Sequence, residues 1–257
     1  EGELVKWKAS LIRKPLILRG ARQVGKTSVV RQFAKNNFDN LFEVNLENKE
    51  QYRKFEGVLS VDDFLKRIEI LWNHKFEAGK ALLFIDEIQE SSDVMNLLRF
   101  FAEERPDIYL IATGSLLEAK LTSAFKIPVG RVEYKYLYPL TFYEYLDATG
   151  NTVLKREINN IKLGDKNNWN DIASDEYKKY IFIGGMPEVV ASFAKNQNYY
   201  DTKQILSRLY SAYIDDVSKY AKRRGEKKYL EWVVESGPRH AGGLFRYENF
   251  GESGYRS

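Results

Sequence analysis

The 257-residue sequence contains no cysteine. Disulfides, thiolate nucleophiles and cysteine-based zinc sites are therefore excluded. Histidine is nearly as scarce, and His74 and His240 alone are too few for a histidine-built metal centre. No apolar run approaches the roughly 20 residues of a membrane-spanning helix, and the opening residues carry no secretory leader pattern. The expectation is a cytoplasmic protein with no membrane partner. A strong excess of one charge is missing too: 40 Lys and Arg face 36 Asp and Glu, for a net +4, which points only weakly toward nucleic acid. What the chain does have is core material, with 44% hydrophobic residues, and a length that fits one large domain or two modest ones.

The most informative segment is Gly20-Ala21-Arg22-Gln23-Val24-Gly25-Lys26-Thr27. It follows the apolar run Pro15-Leu16-Ile17-Leu18 and leads into a helix-prone stretch from Lys26 to Lys35. Strand, G-x-x-x-x-G-K-T loop and helix form the context of a phosphate-binding loop. Glycines at 20 and 25 let the backbone turn tightly and approach phosphate oxygens with no Cβ in the way. Successive amide N–H groups and the helix N-terminus then face the anion. Lys26 is expected to reach the β- and γ-phosphates, and the Thr27 hydroxyl to ligate Mg²⁺. Residues 20–27, with Ser28 beside them, are the candidate cradle for a nucleoside triphosphate. Arg22 fits either a cover over the phosphates or a solvent-facing position.

A second constellation lies downstream. Ala81-Leu82-Leu83-Phe84-Ile85 is a continuous apolar run of the kind buried on both faces of a parallel sheet, and it stops at Asp86-Glu87. In open α/β sheets chemistry collects at the carboxyl ends of strands. Asp86 is placed to hold Mg²⁺ and its water shell, as in phosphoryl-transfer sites. Glu87 points differently and can orient or deprotonate an attacking water, which favours ATP hydrolysis over transfer to a small-molecule acceptor. A third apolar run, Asp107 to Ala112, ends in Thr113-Gly114-Ser115. A hydroxyl there can sense the γ-phosphate or cap a following helix, and Thr113 and Ser115 are not separable at this level.

Strands and helices alternate from about residue 14 to 140. The reading is strands at Pro15–Leu18, Leu41–Asn45, Ala81–Ile85, Ile108–Ala112 and Val132–Leu137, with helices at Lys26–Lys35, Asp62–Trp72 and Asp93–Glu104. Such alternation predicts an α/β fold, a three-layer parallel sheet with helices on both faces. One strand–helix unit separates the loop from Asp86, which predicts a sheet with an inserted central strand. After Pro139 the pattern turns helical. Thr141-Phe142-Tyr143-Glu144 reads as a capping box, Asn151–Asn170 as a polar loop, and Tyr177–Tyr220 as helices broken at Gly184-Gly185-Met186-Pro187.

The segments Leu16–Thr27, Phe84-Ile85-Asp86-Glu87-Ile88-Gln89, Thr113-Gly114-Ser115, Gly130-Arg131, Tyr138–Tyr145 and Gly184–Val189, in this order, resemble a group of bacterial and archaeal AAA-type ATPases related to the signal-transducing ATPases with numerous domains. The resemblance implies a nucleotide-binding core over residues 1–140 and a helical lid over 141–228, with Pro187 packed near the adenine. A helix-breaking turn is the competing reading of that proline. The resemblance also implies that residues 229–257 begin a winged-helix segment, cut short relative to the family and normally followed by a nuclease-like domain.

Two cationic features stay open. Arg131, after Gly130 at the entry to the last core strand, can stabilise γ-phosphate charge in cis or across a subunit interface, or be solvated. The run Lys219, Lys222, Arg223, Arg224, Lys227 and Lys228 can grip a phosphate backbone or form a solvated helix face. The leading expectation is an ATP- and Mg²⁺-dependent switch, possible as an oligomer, that signals to its own C-terminal domain or to a protein partner. A nucleic-acid motor or loader is the runner-up. A small-molecule kinase would need an arginine-rich lid, which the region after Pro139 lacks.

Overall fold

The computed structural model describes residues 2–115, 130–162, 164, 166–220, 226–240 and 243. Its chain divides into two compact units, Glu1–Pro139 and Leu140–Ser257.

The first unit is built on five strands: β1 Leu16–Arg19, β2 Asn40–Asn45, β3 Ala81–Asp86, β4 Tyr109–Gly114 and β5 Glu133–Tyr136. They lie in the order β2-β3-β4-β1-β5, and every pair is parallel. β4 is thus inserted between the strand that leads into the phosphate loop and the strand that carries Asp86. The register aligns Arg19 with Gly114 and with Tyr136, and Asn45 with Asp86. The ends of β1, β3 and β4 therefore open onto one edge, and the motifs read from the sequence meet there.

Helices α1 (Gly2–Ala9) and α2 (Lys26–Asn37) cover one face, and α3 (Lys49–Phe55), α4 (Val61–Trp72) and α5 (Ser92–Glu104) cover the other. The pleat divides β3 accordingly. Leu82 and Phe84 pack with Leu4, Trp7, Val30 and Phe33, while Leu83 and Ile85 pack with Phe64, Ile68, Leu98 and Phe101. All six β3 residues are buried, which explains a strand with no polar alternation. At about 1.5–3 kcal/mol for each large apolar side chain buried, this strand anchors the position of Asp86. α4 shows the local logic clearly. Ser60 caps its N-terminus by accepting from the Asp63 amide, Asp62 and Asp63 suit the first turn, and Val61, Phe64, Leu65 and Ile68 form one buried face.

Two helices were not legible in the sequence. In α1 only Leu4 and Trp7 are buried, with the Trp7 indole N–H donating to the Lys14 carbonyl at 2.9 Å. In α3 only Phe55 is buried, and the helix starts because Asn48 accepts from the Glu50 and Gln51 amides. One or two buried positions make no detectable period.

The second unit contains α6 Phe142–Ala148, α7 Thr152–Asn160, α8 Asn170–Ile183, α9 Pro187–Asn196, α10 Tyr199–Tyr220 and α11 Glu226–Ser236. Tyr145, Leu146, Ile183, Val189, Val190, Phe193 and Leu209 form its core. The capping box at α6 is formed in both directions between Thr141 and Glu144. α7 corrects the reading of Asn151–Asn170 as loop. It buries no residue fully, but Leu154 and Ile158, four apart, pack against the core, and the asparagines around them obscured that stripe. Gly185 sits so close to the Leu140 backbone that a Cβ would fall 2.2 Å from its carbonyl oxygen. Pro187 occupies the first turn of α9, where its missing N–H costs nothing. Of the segment expected to begin a winged helix, 229–257, residues 229–236 complete α11 and Gly237–His240 form a 3₁₀ turn. Gly243 apart, 241–257 lie outside the described residues, as do residues 222–224 of the basic run and the side chain of Lys219.

Candidate functional site

The loop after β1 depends on backbone that favours glycine. Gly20 has φ +151° and Gly25, at the N-cap of α2, has φ +94°; Gln23 between them takes φ +60°. A Cβ on Gly20 would lie 2.3 Å from the Leu137 carbonyl oxygen, a backbone atom that cannot swing aside. Gly25 supplies no side-chain cap, and the first turn of α2 carries no acidic residue. Its N–H groups and positive dipole end therefore remain available to an anion. Val24 is buried beneath the loop, Ala21, Gln23 and Ser28 are exposed on it, and Arg22 is half-buried with an ion pair to Glu47 at 3.6 Å.

Lys26 folds back over this loop. Its ammonium donates to the carbonyls of Gly20 and Ala21 at 2.9 and 2.8 Å, and the residue is buried. Burial pushes its pKa down, Glu87 and Asp86 pull it partly back up, and Arg22 adds to the fall. A phosphate anion would supply the opposing charge that two neutral carbonyls do not.

At the end of β3, Asp86 is buried and held from three directions. The Thr27 hydroxyl donates to Oδ2 at 2.8 Å, the Thr113 hydroxyl donates to Oδ1, and the Glu87 amide donates to Oδ1 at 3.1 Å. Glu87 itself takes a left-handed backbone, φ +52° and ψ +50°, a conformation uncommon outside glycine and asparagine. Its Oε2 accepts from the Ser115 hydroxyl at 3.0 Å and from the Gln89 amide. The two hydroxyls that the sequence left unseparated thus belong to different acids, Thr113 to Asp86 and Ser115 to Glu87.

A family model described as an AAA domain matches residues 12–146, just over half of the chain and the whole of this site. The chain belongs to the AAA domain family. A second model, for a domain of unknown function, matches residues 174–256. An uncharacterized protein of Methanocaldococcus jannaschii is 26% identical over 191 residues, a match that takes in 67% of this chain and 38% of the relative. The chain therefore spans well under half the length of that relative. Among solved structures, the Thermotoga maritima RuvB Holliday junction branch migration motor is similar at 17% identity and TM-score 0.44, over 92% of this chain and 73% of that one. C. elegans PCH-2 is similar at 13% identity and TM-score 0.38, over 87% and 60%.

Within this AAA domain the residues suit a triphosphate and Mg²⁺. The cradle has no room for a Cβ at Gly20, and the available donors are the hydroxyl of Thr27 and the carboxylate of Asp86, hard oxygens of the kind Mg²⁺ takes one or two of alongside substrate phosphates. Among the described residues no cluster of three or more His, Cys, Asp or Glu forms a protein-only cage.

For Arg131 the register sets aside the alternative in cis and leaves the other two, a role across a subunit interface or a solvated residue. β5 enters at Glu133 opposite Leu16, the amino end of β1, about 13 Å along the strand from Gly20 at ~3.3 Å per residue. Arg131 lies before even that point, half exposed and ion-paired with Glu103 at 2.9 Å. Pro187 belongs to the second unit, in the first turn of α9. Gln89 was missed. Only a tight turn brings side chains at i and i+2 together, and the 3₁₀ turn Ile88–Glu90 was not legible behind two acids that end a strand.

Proposed function

We propose that this chain binds ATP with Mg²⁺, hydrolyses it, and acts as a nucleotide-dependent switch. The observation that carries the reading is the convergence of four side chains from three elements at one sheet edge. Lys26 and Thr27 open α2, Asp86 ends β3, and Glu87 comes from the turn that follows it. Bound Mg²⁺ would neutralise charge on the β- and γ-phosphates. Lys26, already aimed along the loop, binds the phosphate oxygens. Thr27 and Asp86 are the groups that would hold the metal, and Thr113 keeps the Asp86 carboxylate from rotating. Glu87 orients a water and accepts its proton on a carboxylate oxygen.

The switch part of the reading is supported by the packing of Gly20 on the Leu137 carbonyl, with the Leu137 amide donating to the Arg19 carbonyl at 2.8 Å. The phosphate loop thereby touches the segment through which the chain leaves the core, so a loop that shifts on nucleotide binding moves that segment.

The test is Mg²⁺-ATP turnover, alone and with added DNA or RNA, beside a Glu87→Gln control. The expected result is turnover in the parent, its loss in the control, and indifference to nucleic acid. Parent-like turnover in Glu87→Gln would remove the glutamate from the mechanism. Strong stimulation by DNA or RNA would replace the switch by a nucleic-acid motor.

A further inference from the structure

One buried side chain at the active edge takes no part in the phosphate cradle. Gln89 is only 3% exposed, and its Nε2 donates to Glu87 Oε2. Its own Oε1 is buried with no hydrogen-bond partner among the described residues. A buried amide that satisfies half of itself is a poor way to fill space, because leucine of similar size carries no oxygen to desolvate. Packing alone does not account for glutamine here.

The hydrogen-bond pattern does account for it. Ser115 donates to the same oxygen, Glu87 Oε2, at 3.0 Å. Ser115 follows β4 and Gln89 follows β3, so the donors reach one oxygen from two separate elements. Two fixed donors on Oε2 set the plane of the carboxylate and leave Oε1 without a partner among the described residues. The left-handed backbone at Glu87 makes such tethers necessary, since it launches the side chain from a turn rather than along the pleat.

We propose that Gln89 is a positioning residue for hydrolysis: its amide, together with Ser115, presents Oε1 of Glu87 as the atom that takes the proton of the attacking water. In that step the water oxygen bonds to the γ-phosphorus and the bond to the β–γ bridging oxygen breaks. The water proton passes to Oε1, and ADP and inorganic phosphate leave. The inference rests on the hydrolytic role proposed for Glu87.

The experiment compares the parent with Glu87→Gln, Gln89→Leu, Ser115→Ala and the double variant Gln89→Leu/Glu87→Gln. Single-turnover ATP cleavage, steady-state kcat and KM, and the affinity for a fluorescent ATP analogue are measured for each. Gln89→Leu should lower kcat by about tenfold or more, the size of effect that misorientation of a reacting group produces. KM and analogue affinity should stay within about twofold, because only the transition state is affected. Ser115→Ala should lower kcat by a smaller factor. The double variant should be no slower than Glu87→Gln, because Gln89 has nothing left to position.

Parent-like kcat in Gln89→Leu beside an inactive Glu87→Gln overturns the positioning role and leaves Glu87 in place. A double variant slower than Glu87→Gln by the full Gln89→Leu factor overturns it as well, since glutamine would then act elsewhere. Parent-like cleavage in Glu87→Gln overturns the reading beneath both. Should Gln89→Leu lose its native circular dichroism, Ser115→Ala decides, and an unchanged kcat there overturns the proposal.

Discussion

The two edges of the central sheet handle charge in opposite ways. At the amino edge two partly exposed arginines are answered by opposite charge: Arg131 pairs with Glu103, and Arg105 pairs with Asp107. At the carboxyl edge Arg22 also pairs with Glu47, but the three charges at the strand and helix ends, buried or half-buried, are held by neutral dipoles. Lys26 rests on two carbonyls, Asp86 on two hydroxyls and an amide, and Glu87 on a hydroxyl and an amide. Among the described residues no ion pair engages any of the three. A charge that has found its counter-ion has little left to offer a ligand, whereas one held by dipoles keeps most of its field. That difference agrees with the proposed site at the carboxyl edge, independently of any motif.

The comparison can be broken or sharpened by substitution. The largest effect is expected from Lys26→Ala. Two charge-assisted hydrogen bonds to phosphate at about 1.5–3 kcal/mol each amount to at least a loss of about a hundredfold in triphosphate affinity, read by titration with a fluorescent ATP analogue. Unchanged affinity would mean that the buried ammonium serves only its two carbonyls. Thr113→Val comes next. It removes a donor from a buried carboxylate, which should cost about 1–3 kcal/mol of stability, seen as a lower urea midpoint. The smallest effect belongs to Arg131→Ala, where an exposed pair is broken. Stability should change by no more than about 0.5 kcal/mol, and ATP turnover should stay at the parent level. A collapse of turnover would place Arg131 at a neighbouring subunit's site and would end the view of the amino edge as inert.

How legible all this was depends on the physical signal each residue leaves. The loop, Asp86, Glu87 and the strand-end hydroxyls were readable because glycine freedom and a sudden acid after an apolar run are both local. Every strand of the sheet was anticipated within a residue or two; β1, β3 and β4 are short buried apolar runs, whereas β2 buries only Phe42 and Val44 and β5 none of its residues. Of the alternatives open for Arg131, the one in cis could have been set aside from the sequence: a residue that enters a parallel strand stands at the edge away from the chemistry. Gln89 left no cue, because its value lies in a turn that folds it back onto Glu87. The helices α1, α3 and α7 bury too few side chains to print a period on the sequence.

The left-handed backbone at Glu87 has a consequence for how this protein can be improved. A non-glycine residue in that conformation costs on the order of 1 kcal/mol, which glycine or asparagine at position 87 would largely relieve. A laboratory selection for heat resistance alone would therefore favour replacing the side chain proposed to take the water proton. Selection for turnover would keep it. Position 87 is where durability and work pull the sequence in opposite directions, and libraries that aim for both must hold it fixed.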